Sequence, residues 1–186
     1  MSNLSFIKEY LTKPRTVGAV LPSSKYLARK MVKDINFSIA TCIVEYGPGT
    51  GVFTEKIVES MKEDTILILL ENNESFYREL CKKFANDQNV YIMRDSAENI
   101  GKHLATHGLE AADYVVSGLP FASIPADISL RILAQTKKHL KIGGCFITFQ
   151  YTLLKKEFIG QFFGKVKLRW EFRNVPPAFV LSCRKR

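Results

Sequence analysis

Between positions 45 and 51 the chain reads Glu45-Tyr46-Gly47-Pro48-Gly49-Thr50-Gly51, a loop with three glycines in seven residues. The apolar run Thr41–Tyr46 predicts a short buried strand that ends in this loop, and Val52–Met61 after it has helical periodicity. Glycines let the backbone turn tightly between a strand and a helix, and they let a ligand approach without a Cβ in the way. The sequence therefore predicts a ligand-binding loop here.

The remainder of the chain alternates between strand-like and helix-like segments, which is typical of an α/β fold. We predict a Rossmann-like, doubly wound and mostly parallel sheet that ends in an antiparallel C-terminal hairpin. Residues 1–186 are predicted to form one domain, with a helical extension at 1–38 and the Rossmann-like core at 39–186. The further predicted helices are Asn3–Leu11, Ser23–Ile35, Glu74–Ala85, Ala97–Ala105 and Ala126–Leu140. Gly143-Gly144 is predicted to end the last of these helices. The further predicted strands are Thr65–Leu70, Val90–Met93, Asp113–Ser117, Cys145–Tyr151, Lys165–Phe172 and Phe179–Cys183.

Acidic residues follow the next two predicted strands. Glu71 ends the second strand, 26 residues after Glu45, and Asn72 comes next. A carboxylate at this position can bind both ribose hydroxyls. The spacing E-x-G-x-G-x-G differs from that of dinucleotide sites, and Glu45 disfavours a pyrophosphate but suits an ammonium group. S-adenosylmethionine (SAM) offers both a ribose and an α-amino acid. Asp95-Ser96, after the third strand, can accept from the adenine amine, cap the following helix, or do both.

The fourth predicted strand ends in Ser117-Gly118-Leu119-Pro120-Phe121. Ligands of open α/β sheets bind beyond the carboxyl ends of the strands, so this loop should lie at the reacting atoms. Pro120 would stiffen it. The ring of Phe121 would offer a face to a cation, worth ~0.5–2 kcal/mol; the alternative is a strand-ending turn with Phe121 in the core.

With these motifs the sequence resembles class I SAM-dependent methyltransferases. Over nearly its whole length it is similar to bacterial phospholipid N-methyltransferases, which are related to the ribosomal RNA adenine dimethylases. Besides the glycine loop and Ser117–Phe121, the resemblance rests on two stretches, Lys13-Pro14-Arg15-Thr16-Val17-Gly18-Ala19-Val20-Leu21-Pro22-Ser23-Ser24 and Asn174-Val175-Pro176-Pro177-Ala178.

This resemblance implies SAM as cofactor and S-adenosylhomocysteine as product. It implies that the glycine loop with Glu45, Tyr46, Gly47, Gly49 and Gly51 seats the methionine part, that Glu71 and Asn72 hold the ribose, and that Asp95, Ser96 and Ser117 complete the cofactor site. The residues Ser117, Gly118, Leu119, Pro120 and Phe121 would position the acceptor amine. Adenine dimethylases carry asparagine where this chain has Gly118, whereas the phospholipid enzymes tolerate the Ser-Gly pair. No general base can be assigned from the sequence.

The charge is concentrated at the two ends of the chain. Residues 1–34 carry a net charge of +5, residues 35–150 carry −3 and residues 151–186 carry +7, within a total of +9. Basic ends indicate a polyanionic partner, either an anionic membrane surface with its phospholipid or RNA. An apolar stripe in the predicted helix Asn3–Leu11 would suit a lipid interface, or it would pack on the core.

Other classes of protein are disfavoured. No apolar run is long enough to cross a membrane, and no signal peptide is recognisable, so we expect a cytoplasmic protein, peripheral at the inner membrane face. The four cysteines form no CxxC pair and the three histidines lack partners at ligand spacing, which predicts no metal site. Three functions stay open: methylation of phosphatidylethanolamine-type lipids, methylation of rRNA adenine at N6, and a non-catalytic SAM-binding module.

Overall fold

A single mixed sheet of seven strands runs through residues 24–186, the part of the chain that this computed structural model describes. The strand order is β3-β2-β1-β4-β5-β7-β6, in which β1 to β5 are parallel and β7 is antiparallel to both β5 and β6. This confirms the predicted fold class. The strands are β1 Cys42–Tyr46, β2 Ile66–Leu70, β3 Val90–Met93, β4 Ala112–Ser117, β5 Leu140–Gln150, β6 Lys165–Glu171 and β7 Ala178–Arg184.

Helices cover both faces of the sheet, because side chains of successive strand residues point to opposite sides. In β1, Cys42, Val44 and Tyr46 join the core under one set of helices, and Ile43 joins the core on the other side. The described helices are α1 Lys25–Val32, α2 Val52–Val58, α3 Glu74–Lys83, a 3-10 turn Ala97–Asn99, α4 Ile100–Thr106, α5 Ala126–His139 and α6 Lys156–Gly160. α1 and α2 pack on the Ile43 side, and α4, α5 and α6 on the Tyr46 side.

Most predicted elements are confirmed to within a few residues, with three differences. The segment Ala97–Ala105 begins as a 3-10 turn before it becomes α4, and α6 was not predicted. Gly143-Gly144 lies inside β5 rather than beyond the end of a helix, where the pairing with β4 shifts register. Gly143 has a φ of 76° and a Cβ on Gly144 would come within 2.8 Å of two carbonyl oxygens, so both positions need glycine. The predicted helix Asn3–Leu11 lies outside the described residues.

Two groups of charges fasten α1 to the C-terminal hairpin. The buried carboxylate of Glu171 pairs with Lys30 at 3.0 Å and with Arg173 at 3.1 Å. Asp34, just beyond α1, is bonded by the guanidinium of Arg169 and lies 3.2 Å from Lys167. The hairpin of β6 and β7 thereby supports the helix that leads into the core from the N-terminal side.

Candidate active site

The loops that carry the predicted site residues leave the sheet at one level. Tyr46 is in register with Leu70 in β2 and with Ser117 in β4, and Leu70 is in register with Met93 in β3. The pairing continues one residue past each strand: the N–H groups of Gly47, Glu71 and Gly118 donate to the carbonyls of Leu70, Met93 and Tyr46 at 2.8–3.0 Å. Four loops from distant parts of the chain therefore meet at one edge of the sheet.

Close backbone contact joins the glycine loop to the loop after β4. A Cβ placed on Gly118 would lie 2.6 Å from the carbonyl oxygen of Gly47, and one on Gly47 would lie 2.9 Å from Leu119 Cδ2. A Cβ on Gly49, by contrast, would meet nothing within 4 Å, although its φ of 55° also favours glycine. The two loops touch at Gly47 and Gly118, while the loop backbone at Gly49 faces open space.

Glu45 is the penultimate residue of β1, just before the glycine loop, and is fully buried. Its Oε2 accepts a hydrogen bond from the hydroxyl of Thr54 in α2 at 2.7 Å, while its buried Oε1 has no partner among the described residues. Burial, opposed by the Thr54 hydrogen bond and assisted by the nearby Glu71, raises the pKa of Glu45 to about 8. A buried carboxylate oxygen without a donor is costly, so the protein holds an acceptor here that a ligand's cation can satisfy.

Glu71 connects the second loop to the first. It is 2% exposed, and its Oε2 accepts from the backbone N–H of Gly49 at 3.0 Å while Oε1 accepts from Asn73 N–H at 2.8 Å. Burial raises the pKa of Glu71 in spite of these bonds. Asn72, the residue between Glu71 and Asn73, is exposed. The carboxylate of Glu71 thus holds the glycine loop in place.

Asp95 is held by the turn that follows it. Its Oδ1 accepts from Ser96 N–H and from Asn99 Nδ2, both at 2.7 Å, and its Oδ2 lies 2.8 Å from His103 Nε2. Burial acts to raise the pKa of Asp95, but the hydrogen bonds from Asn99, His103 and Ser96 prevail and lower it to about 2. Ser96, rather than Asp95, caps the 3-10 turn by accepting from Glu98 N–H at 3.3 Å. Asp95 is therefore a fixed carboxylate at the end of β3.

The loop after β4 is shaped by its own hydroxyl and by a glutamine from β5. The buried Ser117 accepts at Oγ from Leu119 N–H at 3.2 Å. Gln150, 3% exposed at the end of β5, donates from Nε2 to the carbonyl of Leu119 at 3.3 Å. The carbonyl of Pro120 accepts from Ser123 N–H at 2.8 Å. The loop is thus held from both sides close to the cofactor-binding loops.

Two aromatic residues of the predicted site, Phe121 and Tyr46, have their rings buried in the core. The ring of Phe121 is fully buried and meets the ring of Phe146 edge-on at 6.1 Å, so it belongs to the core and presents no free face to a cation. Tyr46 is also fully buried, and its hydroxyl is 3.1 Å from that of Thr136 in α5. Tyr46 therefore belongs to the site through its backbone, whose carbonyl accepts from Gly118 N–H at 2.8 Å.

The sequence reasoning missed Thr54 and Gln150. Thr54 is a buried polar residue in the first turn of a helix, and Gln150 is a polar residue at the end of the otherwise apolar run of β5. An amide or hydroxyl at such a position must find a buried partner, which is the signal that would have found both residues.

The comparisons with known proteins agree with this arrangement. The family described as Ribosomal RNA adenine dimethylase matches residues 18–159. An ornithine lipid N-methyltransferase of Singulisphaera acidiphila is 33% identical over 181 residues, which cover 96% of this chain and 94% of that protein. The chain belongs to the ribosomal RNA adenine dimethylase family of class I SAM-dependent methyltransferases.

Solved structures support the fold of this methyltransferase. An rRNA methylase from Streptococcus thermophilus superimposes with a TM-score of 0.62 at 14% identity, covering 86% of this chain and 95% of that one. A 16S rRNA N2 methyltransferase of T. thermophilus, solved with AdoMet and guanosine, gives a TM-score of 0.67 at 19% identity, covering 92% of this chain and 45% of that one. Both are Rossmann-like methyltransferases, and the strand order of this chain is of the same kind.

The residues of the site fit the cofactor SAM. The orphaned Oε1 of Glu45 is an acceptor for an ammonium group, and the open space at Gly49 admits a ligand against the backbone. Within residues 24–186 no three His, Cys, Asp or Glu side chains are grouped so that they can hold a metal ion. No helix in that same part of the chain has the length and apolar character that a membrane span requires.

Proposed function

We propose that this methyltransferase transfers the methyl group of SAM to the primary amine of a membrane aminolipid. The observation that carries the proposal is the 33% identity to an ornithine lipid N-methyltransferase, which extends over almost the full length of both proteins. Ornithine lipids and phosphatidylethanolamine both present a primary amine at the membrane surface. We take phosphatidylethanolamine as the first substrate to test and an ornithine lipid as the second.

The packing of Gly118 supports a lipid amine over an adenine. The adenine dimethylases that the sequence resembles place an asparagine at this position. In this chain any side chain at position 118 would run into the carbonyl oxygen of Gly47, 2.6 Å from the Cβ. An asparagine here would require one of the two loops to shift, and Gly118 itself offers no side-chain acceptor for an adenine amine, which supports a different acceptor.

The roles of the protein residues follow from these contacts. Glu45 would bind the ammonium of the methionine part, Glu71 the ribose hydroxyls and Asp95 the adenine amine. The cofactor, when bound, supplies an electrophilic methyl group on its sulfonium. The protein's contribution is to hold the acceptor nitrogen in line with that group, an effect of position and orientation that can be worth ~7–11 kcal/mol. The loop of Ser117 to Pro120, held by Gln150, would give the acceptor amine its position.

The acceptor must lose a proton before it can attack, since an alkyl ammonium has no lone pair. Tyr46 is unsuited to assist, because burial raises the pKa of its hydroxyl beyond the usual range and Thr136 engages it. In this proposal the neutral form of the amine is drawn from solution at the membrane surface. Localisation at the inner membrane face, with a cytoplasmic catalytic domain, is part of the same proposal.

The test is transfer of labelled methyl from SAM to vesicles that contain phosphatidylethanolamine, to vesicles that contain an ornithine lipid, and to 16S rRNA. The matched control is Glu45→Gln, which should bind SAM more weakly but keeps the acceptor for Thr54. Gly51→Arg would be a poor control, because a Cβ there lies 3.0 Å from the Phe84 ring and the variant would disturb packing.

Labelled methylated lipid from the wild type, with much less from Glu45→Gln at a SAM concentration near the wild-type Kd, would support the proposal and identify the headgroup. Labelled rRNA with no labelled lipid would overturn it in favour of the RNA methylation for which the matching family is named. Binding of SAM without transfer to any of these acceptors would favour a non-catalytic binding module.

A further inference from the structure

Two loops lie side by side at the active-site edge of the sheet: residues 151–156, after β5, and residues 172–177, between β6 and β7. The antiparallel pairing of β5 with β7 brings them together, because Gln150 is in register with Phe179. We call these two loops the edge surface. The first of them starts directly after Gln150, whose side chain donates to the carbonyl of Leu119. Leu119 belongs to the loop Ser117–Phe121, which we call the acceptor loop.

The edge surface exposes large apolar side chains. Leu154 is 84% exposed, Val175 67%, Phe172 65% and Leu153 40%. Single exposed apolar residues are common on soluble proteins, but neighbouring ones on adjoining loops are typical of an interaction site. The exposed indole of Trp170, stacked on Phe179 at 6.2 Å, continues this apolar character along the last residues of β6.

The charge of the edge surface is of one sign. Its twelve residues include Lys155, Lys156 and Arg173 and no aspartate or glutamate. Lys155 lies over the ring of Phe158 and Arg173 over the ring of Tyr26, 5.2 Å and 4.2 Å from the ring centres, so both cations are held beside aromatic groups. Apolar side chains interspersed with cations match an interface of acyl chains under anionic headgroups.

We propose that the edge surface docks this enzyme on an anionic lipid bilayer and so presents the acceptor loop to the headgroups. The inference rests on the proposed function, since it gives the lipid a route to the site. Leu153, Leu154, Phe172 and Val175 enter the interface, and Lys155 and Lys156 meet the lipid phosphates. A nucleic acid partner would leave the two adjacent leucines without an apolar contact.

Binding is measured with the full-length protein and vesicles of phosphatidylcholine, with or without phosphatidylglycerol. Neither lipid has an amine that can be methylated, so the assay does not depend on turnover. The test variant is Leu154→Ser combined with Phe172→Ser. The control is Ile142→Ser, which removes a side chain that is 83% exposed near the start of β5, at the opposite edge of the sheet.

We expect the wild type and Ile142→Ser to bind the phosphatidylglycerol vesicles equally and the double variant to bind at least about tenfold more weakly, or ~1.4 kcal/mol. Lys155→Gln with Lys156→Gln should flatten the dependence of binding on salt. Methyl transfer to a short-chain, monomeric aminolipid should be unchanged in the double variant.

Equal vesicle binding by the wild type and the double variant would overturn the proposal. An equal loss in Ile142→Ser would do the same, as would a loss confined to RNA binding or to self-association. If vesicle binding depends on the edge surface but no aminolipid is methylated, docking stands and the proposed function fails. If the monomeric aminolipid is methylated but Leu154→Ser with Phe172→Ser leaves vesicle binding unchanged, the proposed function is supported and the docking proposal is wrong.

Discussion

Glu45 shows how a single residue can serve binding at the expense of stability. An ordinary glutamate has a pKa of about 4.5, and burial raises that of Glu45 to about 8. Because the pKa is higher in the folded state, the free energy of unfolding falls as pH rises from about 4.5 to about 8. The ligand-free protein bears this penalty near neutral pH, and an ammonium at the orphaned Oε1 would relieve it.

Glu45→Gln should therefore separate stability from binding. We expect it to raise the free energy of unfolding by about 1–3 kcal/mol near neutral pH and to weaken SAM binding by about 10- to 100-fold. Urea denaturation and calorimetric titration measure the two effects. The stability gain should shrink toward about pH 4.5, where the wild-type glutamate is protonated in the unfolded chain as well. A gain that is independent of pH would contradict this explanation.

Gly118, packed against the carbonyl oxygen of Gly47, is the second residue whose substitution tests the proposed site. We expect Gly118→Ala to lower the free energy of unfolding by about 1–3 kcal/mol, the range of overpacking, and to reduce methyl transfer, because the new Cβ pushes the acceptor loop away from Gly47. Gly160→Ala is the control, since its Cβ would make an ordinary 3.4 Å contact with Val166. Equal stability of the two variants, with full activity, would show that the loops do not need this close contact.

At the scale of elements, the site depends on the register of the strands. The carboxyl ends of β1, β2, β3 and β4 lie at one level, so the loops after them meet without any long excursion of the chain. β5 contributes differently, because its last residue, Gln150, reaches across to the acceptor loop. The parts of the site proposed to bind the methyl donor and the acceptor are thus held by different strands.

Substitution of Gln150 should accordingly affect transfer without affecting the cofactor. We expect Gln150→Leu to lower kcat about five- to tenfold, the value of one hydrogen bond of ~1 kcal/mol, with the Kd for SAM unchanged. Gln161→Leu, at an exposed position just after α6, is the control. A weaker Kd for SAM with unchanged kcat would place Gln150 in the cofactor site instead.

At the scale of the whole molecule, ion pairs join the two ends of the described chain. Asp34 and Glu171 belong to the contact between α1 and the C-terminal hairpin. Burial acts to raise the pKa of both carboxyls, but hydrogen bonds, to Asp34 from Arg169 and to Glu171 from Arg173 and Lys30, prevail and lower each to about 2. Their stabilisation is complete above about pH 4.5 and is lost as pH falls toward about 2.

We therefore expect Asp34→Asn to lower the free energy of unfolding by about 2 kcal/mol at about pH 6, and the difference from wild type to shrink as pH falls below about 4. Urea denaturation over this pH range measures it. Asp64→Asn, whose side chain is 77% exposed, should have little effect at any pH. A deficit in Asp34→Asn that persists at about pH 2 would show that hydrogen-bonding shape, rather than charge, holds α1 on the hairpin.

Some residues of the candidate site could be predicted from the sequence and others could not. Glu45, Glu71 and Asp95 could be found because each lies at or just beyond the carboxyl end of a strand, and parallel strands bring these ends to one edge. Of the two interpretations of Phe121, a ring face offered to a cation and a ring in the core, the structure has the second, because the position of a ring after a turn depends on a partner such as Phe146, 25 positions later. Gln150 was missed because its partner, Leu119, lies 31 positions away.

The order of elements, the glycine loop and the class of cofactor follow from the sequence, since periodicity and turn residues act over a few neighbouring positions. The tertiary structure decided which side chains are free to contact a ligand and which are buried in the core. It buried Tyr46 against Thr136, 90 positions away, and brought Asn174 to accept from Ser24 N–H, 150 positions away. It also placed the exposed leucines beside the hairpin turn. Such contacts join residues that no local pattern relates, and only the packed sheet brings them together.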